Sequence, residues 1–145
     1  MQEVEIYTDG SCRHLDGPGG WGSVIIINGM HLGISGFVTS ASNNLMELKA
    51  VIESLKALES PSRVIVYTDS IFISNCFKYR WYDYWIAHNW TNSRGQAVKH
   101  REYWEELLRL VQKHDVKFIK VKSHHGVRFN EWAHRLAKSA MKIAI

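Results

Sequence analysis

Asp9 and Asp69 each close an apolar, β-rich run, and each follows the same pair, Tyr-Thr. The runs are Val-Glu-Ile-Tyr-Thr-Asp-Gly-Ser over residues 4–11 and Val-Ile-Val-Tyr-Thr-Asp-Ser over 64–70. A carboxylate at the carboxyl end of a strand points into the crevice where open α/β sheets bind ligands. Two such carboxylates side by side repel each other unless a cation lies between them. The pair therefore predicts a divalent-metal site.

The elements that would carry these residues follow from periodicity. Residues 3–8 read as a first strand, 21–27 as a second and 31–38 as a third. Asn28-Gly29 between the last two is a two-residue hairpin signal. The stretch 13–20 is a loop by composition. The period then changes. Leu45, Leu48, Val51, Ile52, Leu55 and Leu58 follow helical spacing, with Ser42, Asn43 and Asn44 ahead of them as caps. Glu47 falls near the first turn of that helix. Pro61 ends the segment, and strand 64–68 leads to Asp69. A short helix is expected from Ser70 toward Phe77. The stretch 79–90 is expected to be partly helical, with Trp81, Trp85 and Ile86 on one face. A loop near 92–95 precedes a helix over about 100–113. A last strand spans 116–121, and a last helix about 129–142 turns Trp132, Ala133, Leu136, Ala137 and Ala140 to the core. An antiparallel hairpin sheet that then acquires crossover helices implies an α/β fold with a mixed sheet.

The bulk properties narrow the partners. A chain of 145 residues favours one domain, and 46% hydrophobic residues are too many for a disordered chain. No apolar run approaches the ~20 residues that span a bilayer. The N-terminus lacks the basic and apolar regions of a signal peptide, so a cytoplasmic protein is expected. Cys12 and Cys76 are expected as free thiols in that setting. The net charge of +4 is unevenly placed. Residues 78–122 hold ten Lys/Arg against five Asp/Glu, together with four of the six Trp and four of the six Tyr. A basic segment rich in aromatic residues points to a nucleic-acid partner.

Five short motifs then converge on one family. They are Tyr-Thr-Asp-Gly-Ser (7–11), Asn-Asn-Leu-Met-Glu-Leu (43–48), Tyr-Thr-Asp-Ser (67–70), Val-Lys-Ser-His-His-Gly (121–126) and Asn-Glu-Trp-Ala-His-Arg-Leu-Ala (130–137). In this order and at these spacings the chain resembles the type 1 ribonuclease H family over nearly its whole length. The resemblance implies a ribonuclease H-like fold with a five-stranded mixed sheet flanked by helices. Strands one to three would form antiparallel hairpins, with parallel strands after them. It implies a single domain over 1–145 with a basic protrusion near 78–101. It further implies an endonuclease that cuts the RNA strand of an RNA–DNA hybrid, leaving 3′-hydroxyl and 5′-phosphate ends. Asp9, Glu47 and Asp69 would hold two Mg²⁺ ions, His124 would assist proton transfer or product departure, and the enzyme would act as a monomer without an obligate protein partner or a membrane.

One position departs from the pattern. Where the family usually has a fourth carboxylate on the last helix, this chain has His134. Three outcomes are open on the sequence. His134 ligates a metal through nitrogen, which favours Mn²⁺. Or it accepts a proton near an ordinary imidazole pKa of about 6.5. Or catalysis is impaired, and the chain is a hybrid-binding module. Substrate contacts are expected from Cys12, Asn43, Asn44, Trp81 and Lys99. The capping role competes at the two asparagines and a core role at Trp81. Trp85 and Trp104 are expected in the core, and Ser42 with His100 beside a DNA phosphate. Position 71, often Gln in relatives, is Ile71 here, which removes one expected polar contact.

Overall fold

The computed structural model describes residues 1–122 and 128–144. Its elements run β1 (Gln2–Cys12), β2 (Gly19–Ile27), β3 (Met30–Val38), α1 (Asn43–Lys56), β4 (Ser62–Thr68), α2 (Ile71–Lys78), α3 (Trp81–Ala87), α4 (Arg101–Lys113), β5 (Asp115–Lys120) and α5 (Arg128–Ile143). The strands form one sheet in the order β3-β2-β1-β4-β5. β1, β2 and β3 pair antiparallel, whereas β4 and β5 join β1 in parallel. The expected α/β mixed sheet is therefore the observed one.

Local chemistry accounts for the turns. Asn28 and Gly29 both take positive φ, 51° and 76°, which the twist of a two-residue hairpin demands and which Asn and Gly tolerate. Ile27 and Met30 then pair directly across the turn. Ser42, in extended backbone, caps α1 by accepting from the Leu45 amide at 3.2 Å. Ser70 caps α2 in the same way from Ile73 at 3.1 Å. Asn43 and Asn44 are first-turn residues of α1 and not its caps.

Alternation sorts the sheet into two faces. Val4 and Ile6 of β1 and Val64 and Val66 of β4 pack with Leu48, Val51, Ile52 and Leu55 of α1 in the main core. Each such side chain contributes about 1.5–3 kcal/mol by leaving water. Trp85, Trp90 and Trp104 belong to that core, as expected for Trp85 and Trp104. Ile86 does not: it is 56% exposed, because the short α3 buries only Trp85. On the opposite face α5 lies across β1, β2 and β3. Its approach is set by glycines. A Cβ at Gly20 would stand 2.2 Å from the Ala137 carbonyl oxygen, and one at Gly22 2.4 Å from that of Ala133. Residues 19 and 20, a loop by composition, are thus strand residues whose missing side chains make room for their neighbours. Ala133, Ala137, Ala140 and Met141 of α5 are buried, whereas Trp132 and Leu136 are not fully buried. Both thiols are free. No helix among the described residues is long and apolar enough to cross a membrane.

Candidate active site

The sheet opens at one place, and Asp9 stands there. β1 and β4 pair as far as Tyr7 and Tyr67, while β1 and β2 stay paired to Cys12 and Gly19. Asp9 thus lies inside β1, opposite Gly22, and not at the strand's end as its run alone indicates. Its free edge faces the gap left by β4. Asp69 follows the last residue of β4 across that gap. Glu47 enters from the second turn of α1. Gly10 allows it, since a Cβ there would sit 2.5 Å from the Glu47 nitrogen and 2.6 Å from the Met46 carbonyl carbon. The Gly10 amide donates to Asp9 Oδ1 at 2.9 Å and to Glu47 Oε1 at 3.2 Å.

The result is three carboxylates with one oxygen each within 4.8 Å of the others. Asp9 and Glu47 are buried and Asp69 half-buried. Burial, followed by the charges of Asp69 and Asp9, pushes the Glu47 carboxyl well above the usual range. Glu47 Oε2 is also buried without a hydrogen-bond partner among the described residues. A trio so placed must take up a proton or a cation, and an orphaned oxygen marks where a ligand bond belongs. The donor set is all hard oxygen, which fits a divalent cation of the Mg²⁺ type.

The fourth corner comes from α5. His134 Nδ1 lies 2.8 Å from Asp9 Oδ2. An ionised carboxylate only accepts, so Nδ1 is the donor in this pair. The carboxylates and His134 therefore meet, as the motifs predict. His124 and His125 lie outside the described residues.

The expected substrate contacts divide. Asn43 and Asn44 line the carboxylate cleft, a space of about 320 Å³, together with Ser70, Ile71 and Phe72. Ile71 is 61% exposed there, so the cleft has an apolar rim at that position. A second, larger groove of about 760 Å³ adjoins it and shares Asn44, Ser70 and Phe72 as a common wall. Trp81, Arg94 and Lys99 line this groove, as do Ser42 and His100. Trp81 is half-buried, with its ring edge-on to Phe72 at 5.4 Å, so it takes part in both core and surface. Arg94 and Lys99 are both exposed. Burial and the neighbouring Lys99 lower the pKa of His100. Cys12 does not line either space. Its thiol donates to the carbonyls of His14 (2.9 Å) and Ala41 (3.1 Å), tying the 13–18 loop to the start of α1. Phe72 and the glycines at 10, 20 and 22 are the contributors that pattern reading passed over. Gly-Gly beside Trp21 was the one signal available for the last pair.

Comparison with known proteins agrees with this geometry. A family model described as RNase H matches residues 1–142. The chain is 44% identical over 142 residues to a protein named Ribonuclease H from Caldicellulosiruptor saccharolyticus, covering 98% of each. It is 45% identical over 139 residues to a Ribonuclease H from Thermoanaerobacter pseudethanolicus, covering 96% of this chain and 90% of that one. Among solved structures, one described as a type 1 RNase H with the type 2 active-site motif superposes with a TM-score of 0.86 at 28% identity. That match covers 100% of this chain and 74% of the other.

Proposed function

The chain belongs to the ribonuclease H family, and on that footing we propose that it hydrolyses the RNA strand of RNA–DNA hybrids endonucleolytically, as a single domain and a monomer. The observation that carries this reading is the three-carboxylate cleft opening onto a basic, aromatic groove through a shared wall. The cleft supplies the chemistry and the groove a track for a phosphate backbone.

Asp9, Glu47 and Asp69 would hold two Mg²⁺ ions, and ions so held supply an activated water and a neutralised leaving oxygen. The protein's own groups do the rest. The Gly10 amide fixes one oxygen of Asp9 and one of Glu47, so neither carboxylate needs to reorient when charge builds up. His134 donates from Nδ1 to the other Asp9 oxygen, which sets the imidazole beside the carboxylates, where it suits proton transfer. This favours the proton-acceptor role for His134 over direct ligation through Nδ1. Asn43 and Asn44, on the rim and free of capping duty, suit the 2′-hydroxyls that distinguish RNA from DNA. Lys99 and Arg94 suit backbone phosphates, and Trp81 a sugar face. Cys12 is proposed as a support for the 13–18 loop instead of a substrate contact. The basic protrusion near 78–101 supplies the groove's far wall. Intact carboxylates and relatives named Ribonuclease H give the binding-module alternative no support.

The test uses a labelled RNA–DNA hybrid, duplex DNA and duplex RNA, each with Mg²⁺ and then Mn²⁺. Cleavage confined to the RNA strand of the hybrid is expected, and cleavage of duplex DNA alone would overturn the reading. Replacing His134→Asp adds a fourth anionic oxygen at Asp9. It is expected to lower the Mg²⁺ concentration for half-maximal rate; an unchanged metal titration would show that this corner does not limit metal use.

A further inference from the structure

The threonine of each Tyr-Thr-Asp run is buried, and the chemistry proposed above gives neither one a role. Thr8 is 4% exposed and Thr68 0%. Thr8 shares its face of β1 with Val4 and Ile6 of the main core. Packing alone would favour valine there, which has nearly the same shape and no hydroxyl to desolvate. The Thr8 hydroxyl instead donates to the carbonyl oxygen of Tyr67 at 3.3 Å, joining residues 59 positions apart.

That bond falls at the vertex of a fork. Backbone pairing between β1 and β4 ends at Tyr7 and Tyr67. Past that rung β1 stays with β2 as far as Cys12. Thr68 stays with β5, pairing with Lys120 and accepting from the Val121 amide at 2.9 Å. Asp9 follows on one prong and Asp69 on the other. The Asp69 prong is held locally: Thr68 Oγ1 accepts from the Ser70 amide at 3.1 Å, across Asp69, and Ser70 caps α2. Each prong is thus tied to its own outer neighbours, so the spacing between them depends on the vertex. Carboxylates with oxygens within 4.8 Å of one another push the prongs apart whenever no cation lies between them. We propose that Thr8 is a positioning residue: its hydroxyl pins the last rung shared by β1 and β4 and so holds Asp9 and Asp69 close enough to share a cation. This inference rests on the reading of the carboxylates as a divalent-metal site.

The test measures Mn²⁺ binding, with free ion read by electron paramagnetic resonance, for the parent, Thr8→Val, Thr8→Ser and Ser62→Ala. Thermal unfolding in chelator is measured beside it. Thr8→Val keeps the shape and loses the donor. It is expected to melt close to the parent and to bind Mn²⁺ about tenfold more weakly, the usual effect of losing a group that orients a metal ligand. Thr8→Ser keeps the donor and is expected to bind as the parent does. Ser62 is a control at the far end of β4, 0% exposed, with its hydroxyl donating to the Ser60 carbonyl at 2.8 Å. Ser62→Ala is expected to lower the melting temperature without weakening Mn²⁺ binding, which separates positioning from stability. A Thr8→Ser variant that loses as much affinity as Thr8→Val would overturn the proposal, and so would a Ser62→Ala variant that does. If Thr8→Val does not fold, Thr8→Cys, whose thiol is a weak donor, is read in its place. A parent that binds no Mn²⁺ would overturn the metal-site reading and this proposal together. A parent that binds it, with Thr8→Val binding equally well, would overturn this proposal alone.

Discussion

The carboxylate cleft and the basic groove share a wall at Asn44, Ser70 and Phe72, yet they are built in opposite ways. In the cleft, every charged group comes from a strand, a strand end or a helix packed on the sheet. Asp9 and Glu47 are buried, and Gly10, Gly20 and Gly22 let two helices approach more closely than any side chain would allow. In the groove, Arg94 and Lys99 stand on the segment between α3 and α4, where solvent reaches them. That segment holds its shape with local bonds, such as the Asn92 side chain accepting from the amides of Arg94 and Gln96, both at 3.0 Å. The difference teaches where each kind of precision is needed. Hydrolysis needs oxygens fixed to fractions of an ångström, which close packing supplies. Backbone recognition needs charge along a track, which long cationic side chains supply.

Substitutions in the two regions should therefore fail differently. Glu47→Gln is expected to lower kcat at least about a hundredfold, on the scale of losing a preorganised charged group. The same change should raise the melting temperature in chelator, because it removes one of three mutually repelling carboxylates. Parallel melts with chelator and with Mg²⁺ check both halves: the parent is expected to gain stability from Mg²⁺, and the variant less. Gly10→Ala comes next. Its new methyl would meet the Glu47 nitrogen at 2.5 Å, so the strand and α1 must separate. A loss of about 1–3 kcal/mol in urea unfolding is expected, together with weakened metal binding. In the groove, Lys99→Ala should leave kcat and stability nearly unchanged, raise KM, and reduce the slope of log affinity against log salt by about one. A groove variant that lost kcat as Glu47→Gln does would erase the distinction between the regions.

This contrast also explains what the sequence made legible. The metal site was readable because Tyr-Thr-Asp repeats after two apolar runs and because Glu47 sits at helical spacing behind a capped start. The mixed sheet was readable from the Asn28-Gly29 turn and the change of period after residue 38. The extent of β1 was not. Gly10 and Ser11 look like a turn, and only their pairing with Trp21 and Gly20 carries the strand on to Cys12. Gly19 and Gly20 look like a loop for the same reason, although their role is to make room for Ala41, Met46 and α5. Which of three adjacent polar residues caps α1 was undecidable from composition, since Ser42, Asn43 and Asn44 all cap well. The hydrogen bond between His134 and Asp9 joins residues 125 positions apart, so no local pattern contains it.

The smallest expected effect lies outside both regions and serves as their control. His114, at the end of α4, is buried, and its Nδ1 accepts from the Ser62 amide at 3.0 Å. Burial, then the Lys113 charge, lowers its pKa below the ordinary 6.5. The folded state thus disfavours the proton, so stability is full above about pH 6.5 and declines as pH falls toward the lowered value. His100 shifts in the same direction, so the pH slope should shrink in His114→Asn without vanishing. Cleavage at neutral pH should be unaffected, as measured by unfolding from about pH 5 to 8 alongside kcat.

The most direct measurement follows both strands of an end-labelled RNA–DNA hybrid with the parent and with Asp9→Asn, in Mg²⁺ at neutral pH. A carboxylate cleft that performs the chemistry predicts internal cuts in the RNA strand only, with 3′-hydroxyl and 5′-phosphate ends, and no cuts by Asp9→Asn. Cleavage that survives Asp9→Asn, or that falls on the DNA strand, would contradict it.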